Sequence, residues 1–265
     1  MASVPHATEP LQLRPARQEH PIDHQAGPGP APLKTLCSTC HLKDFCLPCG
    51  LSGRDVERLD ALGFARRRIR QGQALYREGE NFLFIYAVRS GTFKSHAALM
   101  DGREQVTGFR MAGELLGLDG AASGRHASSA MALEDAEVCA IPYRNLGELA
   151  VGSPDLQAMI SRLMSREIVR EHGLMMLLGS MNAEQRLAAF LLNMSQRMKA
   201  RGYSASEFHL RMSRAEIGSF LGMKVETVSR TFSAFAQQRL LEVDKKHVRI
   251  TDLEGLQQAF DMRVQ

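Results

Sequence analysis

Short apolar segments separated by glycine run from about residue 55 to residue 145, and this pattern restricts the fold most. Segments 82–88 and 136–141 have the length and composition of strands, and the Ser90-Gly91 pair between them is typical of a turn. Several short strands at this spacing predict an antiparallel β-roll or jelly roll. Cys139 lies in the second segment, so we expect a strand paired on both sides to hold it rigidly.

After Pro154 the apolar period becomes helical and predicts one long amphipathic helix. Its apolar stripe comprises Leu156, Ile160, Leu163, Leu174 and Leu178. The stripe is narrow, which favours a coiled-coil dimer seam over packing against the helix's own domain, although both remain open. Glu167, Arg170 and Glu171 interrupt it, and carboxylates near a two-fold axis would repel their own copies.

Two short helices around Gly222 form the next pattern. Ser213 and Glu216 fit a capping box, in which each side chain satisfies a backbone donor at a helix start. A second helix follows almost at once, and its inward residues are Val228, Phe232 and Phe235. This arrangement predicts a helix-turn-helix whose second helix enters a DNA major groove.

The outer face of the second helix carries polar side chains suited to base recognition. Arg230 can donate two hydrogen bonds to guanine, Glu226 can accept from cytosine, and Ser229 can bond a base or a phosphate. The alternative is that Glu226 and Arg230 form only an exposed ion pair one helical turn apart. Residues 241–250 predict two strands around a Lys245-Lys246 turn, a basic wing suited to phosphate.

These patterns place the chain in the α+β class, with a β-roll, a long helix and a winged helix-turn-helix. Seven of the ten prolines fall in the first 36 residues, which predicts a flexible arm. The expected units are the arm at 1–36, the cysteine loop and β-roll at 37–152, the dimerisation helix at 153–180 and the DNA-binding domain at 181–265.

Four of the five cysteines fall between Cys37 and Cys49, and Cys139 stands apart. The odd number and the lack of a signal-peptide pattern argue against disulfides and indicate a reduced, cytoplasmic protein. No apolar run is long enough to span a membrane. Clustered thiols favour a zinc or iron-sulfur centre, and spacing alone leaves open which four cysteines converge.

Net charge is concentrated at the C-terminal end of the chain. Residues 181–265 hold 13 Lys and Arg against 9 Asp and Glu, so they carry the entire +4 excess. A basic excess confined to one segment suits binding to a phosphate backbone, although it is also compatible with a solvated surface.

The order of parts over residues 37–255 closely resembles the FNR branch of the CRP/FNR transcription regulators. The resemblance rests on the spacing Cys-x2-Cys-x5-Cys, the single later cysteine, the segment 182–190 and the Glu226-x-x-Ser229-Arg230 motif. It implies a cyclic-nucleotide-binding-like roll and a regulator that is not an enzyme. By this resemblance the chain is an oxygen sensor that binds DNA when loaded with a cluster.

The resemblance also implies which cysteines are ligands. The family's 4Fe-4S cluster ligands match Cys37, Cys40, Cys46 and Cys139, whereas Cys49 occupies a position that is not a ligand. Oxygen converts the family's cluster to a smaller one and then to the apo-protein. A cluster that reached Cys139 would tie the cysteine loop to the roll beside the long helix.

Partners follow from the same resemblance. A loaded homodimer is expected to bind palindromic double-stranded DNA with TTGAT-like half-sites. Glu171 matches an acidic position that opposes dimerisation in the family, and with Ile168 it is assigned to dimer control. The turn from Asp101 to Glu104 is expected to touch RNA polymerase, although Arg103 makes it less acidic than the family pattern.

Three alternatives differ from this interpretation. A cyclic-nucleotide receptor shares the roll, and Gly113-Glu114 is similar to its phosphate loop, but the arginine expected before Ser129-Ala130 is replaced by Ser128. We therefore expect no cyclic nucleotide. A zinc-stabilised, redox-indifferent DNA-binding regulator fits the clustered cysteines. A thiol oxidoreductase using Cys46 and Cys49 is least favoured, because the usual βαβ context is missing.

Overall fold

The computed structural model describes residues 34–99 and 102–261. The predicted arm at 1–36 therefore lies outside the described residues except for its last three, of which Lys34 and Thr35 form a strand. Asp101 of the predicted polymerase-binding turn also lies outside them.

Two antiparallel sheets form the β-roll. The first has the order β1-β2-β9-β4-β7; its strands are β1 (Lys34–Thr35), β2 (Phe64–Ile69), β4 (Phe84–Ser90), β7 (Leu115–Leu116) and β9 (Ala136–Pro142). The second has the order β3-β8-β5-β6; its strands are β3 (Ala74–Tyr76), β5 (Thr92–Ala98), β6 (Glu104–Met111) and β8 (Ser129–Ala132). The predicted roll is confirmed.

Apolar side chains from both sheets form the core of the roll. Val88, Phe93 and Val138 are fully buried there. Full burial of a side chain of this size contributes about 1.5–3 kcal/mol to folding, so this core holds the two sheets together. Cys139, also on β9, belongs to a neighbouring core cluster.

Three helices cover the face of the first sheet that carries Cys139. They are α1 (Gly53–Ala61), α2 (Tyr143–Ala150) and α3 (Pro154–Ser180). The Ser52 hydroxyl accepts a hydrogen bond from the Asp55 amide and caps α1. The Ser153 hydroxyl, at the cap of α3, donates to the Asp55 carboxylate over 3.1 Å. Asp55 thus joins the starts of α1 and α3.

The first half of the apolar stripe predicted as a dimer seam packs against its own chain, so the dimer-seam interpretation does not hold for Leu156, Ile160 and Leu163. Leu156 is fully buried in the core shared with the roll, and Ile160 and Leu163 pack against the same core. Glu167 also faces the roll, where its carboxylate accepts a hydrogen bond from Arg110 over 2.7 Å. The roll offers this stripe an apolar surface that sequence periodicity cannot reveal.

The opposite face of α3 remains exposed and apolar. Ile168, Val169, Met175 and Met176 are each more than half exposed along it. Glu171 is exposed beside Ile168 on the same stretch of helix. No helix among the described residues has both the length and the apolarity needed to cross a membrane.

The C-terminal segment folds as a winged helix-turn-helix, as predicted. Its elements are α4 (Ala183–Ala200), β10 (Glu207–His209), α5 (Arg214–Leu221), α6 (Val225–Gln237), β11 (Leu241–Asp244), β12 (His247–Ile250) and α7 (Leu253–Asp261). The three strands form one antiparallel sheet in the order β10-β12-β11. Capping boxes begin both α4 and α5.

The DNA-binding domain packs directly on the second sheet of the roll. The ring of Phe109 on β6 lies 5.3 Å from the ring of Phe220 on α5. Lys94 of β5 forms an ion pair with Glu216 over 3.1 Å, and the Ser219 hydroxyl accepts from the Val106 amide. The roll therefore fixes the first helix of the helix-turn-helix by both apolar and polar contacts.

Candidate metal centre and nucleic-acid interface

Residues 37–49 form a loop of consecutive turns instead of a helix or strand. Local backbone hydrogen bonds hold it, including those from the Cys40 amide to the Cys37 carbonyl and from the Cys46 amide to the Leu42 carbonyl. The carboxylate of Asp60, on α1, accepts from the amides of Cys37 and Ser38. Asp60 thus fastens the start of the loop to α1.

Cys139 lies on β9, as predicted, with a paired strand on each side. Its register partners are Arg66 on β2 and Ala87 on β4. Because β9 is internal in the five-stranded sheet, both neighbours fix its backbone. The Cys139 side chain therefore offers a rigid point against which the turn-rich loop can be held.

One small cavity brings four of the five thiols together. Its lining includes Cys37, Cys40, Cys46 and Cys139, and the apolar side chains around them are Leu47, Pro48, Phe64, Ala87 and Ile141. Thr35 and Lys43 complete it. Soft sulfur donors in apolar surroundings suit zinc or iron-sulfur chemistry better than the oxygen donors preferred by hard cations. The donor set therefore fits the predicted group.

Burial raises the pKa of Cys37, Cys46 and Cys139 in this cavity. The pKa of Cys46 rises to about 12 through burial, with a further contribution from Cys139. Burial and the nearby Cys46 raise that of Cys37 still further, and burial also raises that of Cys139. None of the five cysteines is in a disulfide. Such thiols ionise readily only when a positive centre compensates them, as a bound metal does.

The free volume of this cavity is about 20 Å³, room for about one water molecule. Among residues 34–99 and 102–261, no three His, Cys, Asp or Glu side chains are arranged to hold a metal ion. A larger group would need more space than this cavity offers. The ligand set therefore stays a prediction.

Cys49 does not line the cavity that the other four thiols share. It is half-buried and lines a different cavity of about 310 Å³ beside α3, together with Leu163, Arg166 and Arg170. Cys46 borders both cavities. The structure thus groups Cys139 with the loop cysteines in one cavity and leaves Cys49 outside it.

Polar neighbours of the thiols come from distant parts of the chain. The Arg89 guanidinium donates to the Cys40 sulfur over 3.5 Å and pairs with Glu137 over 3.3 Å. The Thr35 hydroxyl accepts from Arg66 over 2.7 Å and bonds to Cys139. The sequence pattern does not identify these residues, or Asp60, because no local spacing relates residues 23 to 104 positions apart.

The helix-turn-helix closes through a tight contact at Gly218. The backbone carbonyl of Gly218 accepts from the Met223 amide over 2.8 Å, just after the left-handed residue Gly222. A Cβ atom on Gly218 would lie only 2.6 Å from the Met223 carbonyl oxygen. Glycine is required at position 218 because the turn backbone crosses α5 there.

The predicted DNA-contact residues share the exposed face of α6. Glu226, Ser229 and Arg230 are exposed, whereas Val228 and Phe232 are buried in the domain core. The Ser229 hydroxyl donates to the Val225 carbonyl within the helix. No ion pair forms between Glu226 and Arg230 in the part of the chain that the structure describes. Both side chains therefore point to solvent and are available to a ligand.

Comparisons with known proteins agree with this architecture. Residues 66–152 match the cyclic nucleotide-binding domain, and residues 185–259 match the Crp-like helix-turn-helix domain. The transcriptional regulatory protein btr of Bordetella pertussis is 47% identical over 222 residues, which cover 84% of this chain and 92% of that protein. The fumarate and nitrate reduction regulatory protein of Escherichia coli is 40% identical over 84% of this chain and 89% of its own length.

The chain is an FNR-type member of the CRP/FNR family. Among solved structures, FixK2 from Bradyrhizobium japonicum superposes with a TM-score of 0.70 at 28% identity, covering 77% of this chain and all of FixK2. The Bordetella pertussis relative is named as a transcriptional regulatory protein and the Escherichia coli relative as a regulatory protein. This FNR-type protein is accordingly a DNA-binding regulator and not an enzyme.

The wing of this FNR-type regulator is fastened to the recognition helix by Arg214. Its guanidinium carbon lies 3.3 Å from the centroid of the Phe232 ring, and it donates to the Lys245 carbonyl over 3.4 Å. Burial lowers the pKa of Arg214 to about 10, which leaves it charged at neutral pH. Lys245 has a φ of 54° at the predicted turn between β11 and β12.

Aromatic side chains fill the interior of the roll near the position where the nucleotide-binding arginine is replaced. The rings of Tyr76 and His126 stack 3.8 Å apart, and Phe82 contacts His126 edge-on. The Ser128 hydroxyl donates to Asp119, whose carboxylate also faces His126. That this FNR-type protein binds no cyclic nucleotide stays a prediction.

Proposed function

We propose that this protein is an oxygen-sensing transcription regulator that holds a 4Fe-4S cluster on Cys37, Cys40, Cys46 and Cys139. The observation that carries the proposal is the single apolar cavity that these four side chains line. The name of the Escherichia coli relative refers to fumarate and nitrate reduction, which is consistent with a response to oxygen. When bound, such a cluster supplies oxygen-sensitive iron chemistry.

The chain's own residues determine how the loop is held. Asp60 anchors its first amides, and β9 presents Cys139 from a fixed backbone. Arg89 and Thr35 direct hydrogen-bond donors at the sulfurs of Cys40 and Cys139, and donors of this kind orient ligand side chains. Release of the sulfurs would free the loop between Cys37 and Cys49 from the sheet.

We further propose that the active form is a homodimer joined along the exposed face of α3. A second copy would cover the apolar row of Ile168, Val169, Met175 and Met176. Glu171 is exposed beside this row, and its carboxylate would meet a like charge across a two-fold axis, which would weaken the dimer. Ile168 and Glu171 are therefore the proposed dimer-control residues.

As a dimer, the protein would place its two α6 helices in major grooves about 34–36 Å apart, one turn of duplex. We propose palindromic DNA with TTGAT-like half-sites as the ligand, read by Glu226, Ser229 and Arg230. The turn ending at Glu104 is the proposed contact with RNA polymerase. A cytoplasmic location is part of the same proposal.

Anaerobic purification tests the cofactor directly. We expect a brown protein with about four irons per chain that sediments as a dimer and binds the palindromic site. Exposure to air should bleach the colour, shift sedimentation toward the monomer and release the DNA. A colourless protein that contains zinc and binds DNA equally in air and without oxygen would refute the proposal.

Replacement of Arg230 by alanine tests base recognition. The specific site should lose about 1–3 kcal/mol of binding free energy and random DNA little, because the guanidinium reads a base edge. Titration of both DNAs by fluorescence anisotropy at one salt concentration measures the difference. Arg239→Ala is the control at an exposed arginine just beyond α6. An equal loss on both DNAs would reassign Arg230 to a phosphate contact.

A further inference from the structure

Glu114 occupies the turn between β6 and β7, where the roll meets the end of α4. Its amide donates to the Met111 carbonyl and its carbonyl accepts from the Val88 amide, so its backbone is fixed within the roll. In sequence, the Gly113-Glu114 pair is similar to the phosphate loop of cyclic-nucleotide receptors. The structure gives its carboxylate different partners, which belong to the DNA-binding domain.

Two arginines of the DNA-binding domain enclose the Glu114 carboxylate. Arg197 donates from Nε to Oε1 over 3.0 Å and from Nη2 to Oε2 over 2.7 Å, a bidentate pair. Arg201 donates from Nη2 to Oε1 over 2.7 Å. The side chains of Glu114 and Arg201 are only 13% and 9% exposed. Solvent therefore screens these charges only weakly. The charge-assisted hydrogen bonds hold the roll and the DNA-binding domain in one relative orientation.

The same arginines also bind the backbone of the roll. Arg197 donates to the Phe109 carbonyl over 2.9 Å, and Arg201 donates to the Ala112 carbonyl over 2.7 Å. Burial alone would raise the pKa of Glu114, but Arg197 and Arg201 hold it below its usual range. The carboxylate is thus ionised, and the docked end of α4 supplies the two arginines that bind it directly, while Arg170 of α3 adds a further positive charge nearby.

The cysteine loop packs against Gly113, the residue next to Glu114. Phe45 packs against Gly113 so closely that a Cβ atom on Gly113 would lie 3.1 Å from the Phe45 Cβ. Gly113 has a φ of +86°, so its backbone suits glycine. Phe45 directly precedes Cys46, a proposed ligand. Any outward movement of Cys46 therefore changes the contact that supports the Gly113-Glu114 turn.

We propose that Glu114 is a positioning residue that couples the cysteine loop to the DNA-binding domain through Arg197 and Arg201. Displacement of the loop at Phe45 shifts the Gly113-Glu114 turn, and the shift changes how α4 is held against the roll. The inference rests on the proposed cluster function. It adds a route within one chain by which the loop reaches the domain that carries the recognition helix.

Glu114→Gln tests this coupling, because the amide keeps the shape but removes the charge. The dissociation constant for the palindromic site is measured in the cluster-loaded and apo forms, with iron content and visible absorbance as a check on loading. Couplings between sites typically change affinity about 5- to 150-fold. We expect normal loading in the variant, with the apo-to-loaded ratio reduced from a wild-type value in that range toward one.

Hydrogen exchange of the last turn of α4 gives a readout that does not depend on DNA. In the wild type this turn should exchange differently in the two forms, and in Glu114→Gln it should exchange alike in both. Glu114→Asp retains the charge and should restore part of the affinity ratio. If Glu114→Gln does not fold, the aspartate variant still tests the coupling. Its shorter side chain should give an apo-to-loaded ratio of dissociation constants below that of the wild type.

Glu134→Gln is the matched control. Glu134 also pairs with an arginine of the DNA-binding domain, Arg211, but these side chains are 27% and 48% exposed. This variant should keep the wild-type ratio. A wild-type ratio in both Glu114 variants would overturn the coupling. Wild-type protein that takes up no iron would instead contradict the proposed function, so the two failures are distinguishable.

Discussion

Replacement of Cys139 by alanine should abolish cluster binding while the protein stays folded. Three of the four proposed ligands would remain in the loop, but the fixed thiol on β9 that faces them would be lost. We expect anaerobically reconstituted Cys139→Ala to lose essentially all visible absorbance and to bind the palindromic site no better than air-treated wild type. Iron analysis, absorbance and DNA titration on the same sample measure these outcomes, and thermal unfolding checks the fold.

Cys49→Ala is the control for this experiment. Cys49 lines the cavity beside α3 and not the cavity that the four other thiols line, so its removal should leave iron content and colour unchanged. The reverse result, with Cys49 required and Cys139 dispensable, would contradict the proposed ligand set. That outcome would favour a self-contained site within residues 37–49.

Gly218→Ala should disable DNA binding without affecting the metal centre. The added methyl group would lie 2.6 Å from the Met223 carbonyl oxygen, so the turn between α5 and α6 would have to move. Overpacking of this kind costs about 1–3 kcal/mol, and here it also displaces the recognition helix. We expect a lower unfolding temperature, loss of binding to the palindromic site and an unchanged cluster spectrum.

Gly147→Ala provides the comparison, because Gly147 is also helical but a Cβ atom there would have nothing within 4 Å. Alanine should stabilise that helix by about 0.5–1 kcal/mol through its higher helix propensity. Calorimetry of both variants separates steric strain from the general effect of replacing a helical glycine. Equal unfolding temperatures for Gly218→Ala and wild type would show that the turn between α5 and α6 accommodates the methyl group without loss of stability.

Local patterns identified the elements that local physics controls. Ser213 and Glu216 form the predicted capping box because both partners lie within one helical turn. Cys139 lies on the predicted strand because its segment is apolar and β-branched, and Lys245 turns where the wing pattern placed it. The order of these elements was also sufficient to indicate the family.

Contacts between distant segments were beyond the reach of the sequence pattern. The stripe from Leu156 to Leu178 has the period of a coiled coil, yet the roll covers its first half and the face bearing Ile168 and Met175 is left exposed. A helical period shows that one face is apolar but not which surface covers it. The partner of that face is decided only when the roll has folded.

By itself, the sequence determined the β-roll, the long helix, the winged helix-turn-helix and the candidate thiols, since periodicity, capping and spacing act over a few residues. Only the tertiary structure decided that Cys139 shares a cavity with three loop cysteines while Cys49 lies in another. It also decided that Glu114 binds Arg197 and Arg201. Side chains about 90 positions apart meet only through the packing of sheets and helices, which no local pattern records.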